Sequence, residues 1–239
     1  MNKITMKQEN SLFQSMSMAD WDEFFPKLEA YELPLEKVLY EINAKEKYAY
    51  FPTNSIVSIL HNLENGSTAE ISVIGNEGVI GVEIFMGGLS TTTTAVVHSG
   101  GKCYRISSFD FFESFEKSTS FKYAFLRFTQ ALITQITQTA VCNRHHNLEQ
   151  QLCRWLLLGN DRLFNDELVM TQELISNMLG VRREGVTELA SKLQKLGLIK
   201  YKRGHITILD RKGIESKSCE CYQVVKTEYD RLMPKVAEH

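Results

Sequence analysis

Arg183 and Glu184 stand side by side near the start of VRREGVTELASKLQKL (181–196), where Val186, Leu189, Ala190, Leu193 and Leu196 recur at helical spacing. From the first turn of a helix an arginine can donate two hydrogen bonds to guanine O6 and N7, and a carboxylate can accept one from cytosine N4. Thr187 and Glu188 share that polar face and complete the set expected at base edges. Around them, Thr171, Gln172, Arg182, Lys192, Lys202, Arg203 and His205 have the chemistry of phosphate contacts, which set affinity and register without reading sequence. Residues 181–212 hold nine Lys and Arg against three Asp and Glu, an excess that suits a polyanion, although a solvated charged face would have the same composition.

Chemistry of this kind needs a rigid support, and the flanking sequence supplies one. In MTQELISNMLG (170–180), Thr171 is placed as an N-cap, Leu174, Ile175, Met178 and Leu179 form one apolar face, and Gly180 suits the left-handed residue that ends a helix. Two helices joined so tightly make a helix-turn-helix. Behind them Ile199 and Tyr201 alternate, Arg203-Gly204 turns, and Ile206 and Ile208 alternate back, which predicts a β-wing with a basic tip.

Upstream, residues 12–30 carry apolar residues near helical spacing and predict one helix. Residues 55–60, 68–74, 91–98 and 101–106 are β-rich runs between glycine turns, the pattern of an antiparallel barrel or jelly roll able to enclose a small ligand. A long helix is predicted over 121–143: Phe121, Phe125, Phe128, Leu132 and Ile136 form one stripe, and Leu126, Ile133 and Ala140 form a second at sevens. The sixteen residues between Arg127 and Arg144 carry no charge, so this helix needs two covered sides. One side covers the roll; the other pairs with a second copy, and Phe125, Phe128, Leu132, Ile133, Ile136 and Ala140 are the expected dimer contacts. Leu152, Trp155, Leu156 and Leu163 give a further apolar face. The domains are expected at 1–118 (roll with N-terminal helix), 119–147 (long helix and hinge) and 148–239 (winged helix), an α+β chain.

Other chemistries have weaker support. Cys142 and His146 lie four apart on one helical face, a spacing that could hold zinc, but two ligands are not four, and Cys153 sits a further eleven residues away from Cys142. Cys219 and Cys221 would point to different sides of a regular segment, which disfavours a disulfide between them and leaves intersubunit or redox chemistry. His61, His98, His145, His146 and His205 are candidate haem ligands, each more simply a structural or surface histidine. There is no glycine-rich phosphate loop, nucleophile elbow or HExxH, so no enzymatic activity is expected. No cofactor and no metal are expected either. The five cysteines follow no framework spacing, and the first twenty residues lack an apolar export signal, so a cytoplasmic protein is expected.

The chain resembles transcription regulators of the Crp/Fnr superfamily over almost its whole length. The resemblance rests on the glycines of the roll (Gly75, Gly78, Gly81, Gly100), the long helix, RHHNLEQQLCRWLL (144–157), LGVRREGVT (179–187), GLIKYKRGHITILDRKGIE (197–215) and CECY (219–222), the last three typical of one subgroup. It implies an N-terminal antiparallel β-roll like a cyclic-nucleotide-binding domain, a dimerisation helix and a C-terminal winged helix-turn-helix. The implied partners are double-stranded DNA of two-fold symmetry, a second copy of the chain and, for an activator, RNA polymerase. In the family the recognition helix carries Arg, Glu and a second Arg four residues after that Glu; here the last is Glu188, so the family's usual palindrome is not implied. Cyclic-nucleotide sensors use a Gly-Glu pair for ribose and an Arg-Ser pair for phosphate. The corresponding stretch here begins at Gly81 and Glu83 and ends in the threonines 91–94, with no arginine between Lys47 and Arg105. Gly81, Glu83, Thr92 and Thr93 are therefore weak candidates for an effector pocket, and a cyclic nucleotide is disfavoured because a buried phosphate needs a cation. The family's iron–sulfur sensors use cysteines near the N-terminus, and none precedes Cys103. The alternatives kept are a cyclic-nucleotide-responsive regulator, or a metal or redox sensor using Cys142, His146, Cys153 or Cys219 and Cys221.

Overall fold

A computed structural model describes residues 3–64, 66–88, 90–163 and 167–234. The chain opens with α1 (Lys3–Gln8), α2 (Ser11–Ser15) and α3 (Met18–Phe24), closed by a 3₁₀ turn at Phe25–Lys27. This corrects the single helix expected over 12–30. Asn10 and Ser17 cap α2 and α3, accepting from Leu12 N and Asp20 N, Met16 between them is extended, and Pro26 has no N–H to carry a helix onward. The breaks turn Leu12, Phe13, Trp21 and Phe24 onto one core, which the single stripe of a straight helix could not do.

The roll consists of β1 (Glu29–Leu33), β2 (Val38–Tyr40), β3 (Tyr48–Pro52), β4 (Ile56–Asn62), β5 (Thr68–Ile74), β6 (Thr94–Ser99) and β7 (Gly101–Ser107). They form two antiparallel sheets, ordered β1-β7-β3 and β2-β6-β4-β5. A short α4 (Val82–Met86) lies between β5 and β6. The strand expected over 91–98 begins only at Thr94, because Thr91 and Thr93 close a local turn: Thr93 N donates to Thr91 Oγ1 at 3.1 Å and the two hydroxyls lie 2.7 Å apart.

Two helices cover the roll, α5 (Ser108–Lys117) and α6 (Thr119–His145). Phe121, Phe125, Phe128 and Leu132 of α6 are buried with Phe13, Phe24, Phe51 and Phe111 in the protomer's own core. Phe125, Phe128 and Leu132 are therefore not on a seam between copies, a correction to the expected contact set, and Ile136 is partly buried against the same core. The stripe at sevens faces outward: Leu126 and Ile133 are 51% and 56% exposed, and Ala140 is exposed with them. The roll approaches α6 so closely that a Cβ on Gly78 would lie 2.1 Å from the Phe128 ring.

After α7 (Leu148–Asn160) come β8 (Glu167–Val169), α8 (Gln172–Leu179), α9 (Arg183–Lys195), β9 (Ile199–Lys202), β10 (His205–Ile208), α10 (Arg211–Lys217) and α11 (Glu220–Leu232). α7 starts at a capping box between Asn147 and Gln150. A second core gathers Leu152, Trp155, Leu156, Met178, Val186, Leu193 and Ile206, and Ile56, Leu60 and Val73 of the roll join it. Arg162, just beyond α7, binds across the joint: Nε donates to Glu77 Oε1 and Nη2 to Gln135 Oε1, both at 2.6 Å. α11 runs back antiparallel to α6, with Gln130 Nε2 donating to Glu228 Oε1 at 3.1 Å, and Leu232 and Met233 end in the first core. Among the described residues no helix is long and apolar enough to cross a membrane.

Candidate nucleic-acid interface

α8 and α9 meet as the sequence spacing predicts. Thr171 caps α8, its hydroxyl oxygen accepting from Leu174 N at 3.1 Å, and Gly180 ends it at φ 63°. α9 buries Val186, Ala190 and Leu193 and turns Arg182, Arg183, Glu184, Thr187, Glu188 and Lys192 outward. Arg183, Glu184, Thr187, Glu188 and Lys192 line an open groove of about 1190 Å³ together with Gln172 and Lys195, and Arg182 is the N-cap of α9. The Thr187 hydroxyl donates to Gln172 Oε1 at 2.7 Å and so braces α9 on α8. That bond uses the oxygen of Gln172 and leaves its amide nitrogen as the donor.

The wing is a three-stranded sheet ordered β8-β10-β9; the sequence pattern shows its hairpin but not β8, which is only three residues long. Arg203 and Gly204 turn the hairpin at φ 52° and 84°, the pair of positive values a two-residue turn of this hand requires. Lys202, Arg203 and His205 line a shallow hollow of about 300 Å³ with Lys200 and Thr207. Gln194 Oε1 accepts from Tyr201 N at 2.7 Å and ties the wing to the last turn of α9. Among the residues expected at phosphate, Lys192 pairs with Glu149, which also takes Lys217 at 3.2 Å. Those two lysines, Lys192 first, hold the Glu149 carboxyl below its ordinary range.

Inside the roll lies a small cavity of about 100 Å³, lined by Tyr40, Gly81, Glu83, Thr91, Thr93, Leu132 and Ile136 among others. Thr92 is exposed and outside it, a correction to the expected pocket. A residue that sequence reasoning missed stands near: Glu46, 5% exposed, has neither carboxylate oxygen hydrogen-bonded within the described residues. Burial, followed by the charge of Glu83, pushes its carboxyl up to about 8. Nothing in the local sequence around Glu46 marks it, because its burial comes from the closing of the roll.

The structure also joins residues that looked separate. Cys142, His146, Cys219 and Cys221 converge, whereas Cys153 lies apart in the second core. Cys219 and Cys221 face the same point because Cys219 is the extended N-cap of α11 and Cys221 belongs to its first turn. This corrects the expectation that they point to different sides.

Residues 150–216 match the model of the Crp-like helix-turn-helix domain. No curated protein matches the chain. Among solved structures it is similar to FixK2 from Bradyrhizobium japonicum, with a TM-score of 0.69 at 14% identity over 80% of this chain and 98% of that one. It is also similar to TTHB099, a transcriptional regulator of the CRP family from Thermus thermophilus, with a TM-score of 0.66 at 15% identity over 79% and 96%. TTHA1359, a CRP/FNR-family transcriptional regulator from the same organism, gives 0.62 at 16% over 80% and 98%. The molecule is thus a β-roll joined through a long helix to a winged helix-turn-helix. It has the fold of the Crp/Fnr regulators and carries a Crp-like helix-turn-helix domain.

Proposed function

We propose that this protein is a transcription regulator of the Crp/Fnr type that binds a two-fold symmetric DNA site as a homodimer and reads it with α9. The observation that carries the reading is the division of α9 itself. Arg183 and Glu184 are exposed in its first turn, while Val186, Ala190 and Leu193 anchor the same helix in the core. An anchored helix presenting its N-terminal turn is the geometry of major-groove readout. Arg183 supplies a guanine contact, Glu184 a cytosine contact, and Lys202 and Arg203 on the wing supply phosphate contacts. Leu126, Ile133 and Ala140 leave an uncovered apolar seam along α6 that suits its pairing with a second copy.

The roll supports a regulator that does not use cyclic nucleotides. Its cavity of about 100 Å³ is below the ~300 Å³ at which ligand pockets usually start. Among the described lining residues the charged side chain is Glu83, with no lysine or arginine, so a phosphate there would lack a counter-charge. Calorimetric titration with cyclic AMP and cyclic GMP is expected to show no saturable binding.

The experiment for the main reading is selection of bound duplexes from a random library by the purified protein. Enrichment of a sequence with two half-sites about one helical turn apart is expected. Salt-sensitive binding without sequence enrichment would overturn it.

A further inference from the structure

At the inner end of α6, Cys142 and His146 occupy successive turns of one face, and α11 begins against them with Cys219 and Cys221. The four ligand atoms lie within 4.8 Å of one another, with Cys142 Sγ 3.5 Å from Cys219 Sγ and Cys221 Sγ 3.6 Å from His146 Nδ1. Ligands on a tetrahedral zinc ion at a Zn–S distance of about 2.3 Å stand ~3.8 Å apart. The cluster therefore has almost the spacing that one ion would impose, and it is too tight to surround several iron atoms.

Two neighbours point the same way. His146 turns its other nitrogen, Nε2, to Glu220 Oε2 at 3.3 Å, which leaves Nδ1 as the ligand atom and orients the ring with a carboxylate behind it. Arg154 is 5% exposed, donates from Nη2 to Thr139 Oγ1 at 2.8 Å, and leaves Nε without a hydrogen-bond partner among the described residues. Its charge acts on Cys142 and Cys221. A buried guanidinium needs a counter-charge. Three thiolates around a dication carry one net negative charge, which balances it.

We propose that Cys142, His146, Cys219 and Cys221 bind one zinc ion through three thiolates and the Nδ1 of His146, fastening the start of α11 to the end of α6. Binding releases the thiol protons to solvent and needs no redox partner. All four positions are filled by protein and the three sulfurs are buried, the form of a structural rather than a catalytic site. The clamp closes a long loop of chain, since Cys219 stands 77 positions after Cys142. It holds the hinge at His146 and Asn147, from which the winged helix departs.

The test uses the full chain without a metal-binding tag, purified with reductant from zinc-supplemented cells. Elemental analysis is expected to find one zinc per protomer that survives gel filtration. Exchange with cobalt(II) is expected to give thiolate-to-cobalt charge transfer and the visible bands of a tetrahedral site. Cys219→Ser should weaken the charge transfer and Cys153→Ser should leave it unchanged. If Cys219→Ser does not fold, the cobalt spectrum of the wild type decides alone. A folded wild-type protein that holds neither metal overturns the proposal, as does a Cys142–Cys219 disulfide found by mass spectrometry in metal-free protein. Zinc retained by a folded Cys142→Ser, Cys219→Ser double variant also overturns it, because the ion would then sit elsewhere.

Discussion

Trp155 Nε1 donates a hydrogen bond of 2.8 Å to Glu70 Oε1, so a side chain of α7 ends on a strand of the roll. The other oxygen of Glu70 accepts from Ser58 Oγ at 2.5 Å, His98 Nδ1 lies 2.8 Å from the same hydroxyl, and the His98 ring stacks on Trp155 with centroids 4.8 Å apart. A serine, a histidine and a carboxylate in contact would suggest a nucleophile, but Ser58 is fully buried. The group is a polar joint between the roll and the winged-helix half, and both halves must be in register for it to close.

Trp155→Phe keeps an aromatic ring against His98 but removes the N–H, leaving a buried Glu70 oxygen without its donor. Such a loss costs about 1–3 kcal/mol. Urea unfolding followed by fluorescence and by circular dichroism is expected to show a lower midpoint, and an unchanged midpoint would mean that water replaces the indole.

Ile133→Glu places a charge on the exposed seam of α6 without touching the core, unlike a change at Ile136, which is partly buried within the protomer. Wild type is expected to be a dimer and the variant a monomer of unchanged secondary structure. Analytical ultracentrifugation at micromolar concentration distinguishes them; a monomeric wild type would refute the pairing.

Glu46 makes stability depend on pH. Its folded carboxyl is pushed up to about 8 by burial and then by Glu83, against 4.5 for the free group. Between those values the folded chain keeps a proton that the unfolded chain has lost, so the contribution is complete below about 4.5 and disappears as pH rises through about 8. Glu46→Gln stays neutral throughout. Its thermal midpoint should match wild type in acid and exceed it in alkali, whereas parallel curves would show that Glu46 is solvated.

The sequence was most legible where one local rule decides the structure. Thr171, Gly180 and the Arg203-Gly204 turn occupy the positions their chemistry predicts, because caps and tight turns depend on neighbours a few residues away. The face of α6 was harder, since two apolar stripes compete for the core. The phenylalanines won because the roll supplies a large aromatic core to pack against, and the stripe of Leu126, Ile133 and Ala140 was left outside. The N-terminal helices broke where Ser17 and Pro26 outweighed a continuous apolar period. Glu46 and the pairing of Cys142 with Cys219 were invisible, because each depends on chain closure over distances that local spacing cannot encode.

The most direct measurement of the central claim is quantitative binding of wild type, Arg183→Ala and Lys202→Ala to a selected site and to each of its single base-pair variants. Arg183→Ala should cost about 1–3 kcal/mol and lose preference at one base pair in each half-site, where the guanine contact is made. Lys202→Ala should weaken every sequence alike and reduce the salt dependence. Equal and uniform losses in both variants, or unchanged base preference in Arg183→Ala, would contradict the assignment of α9 as the reading helix.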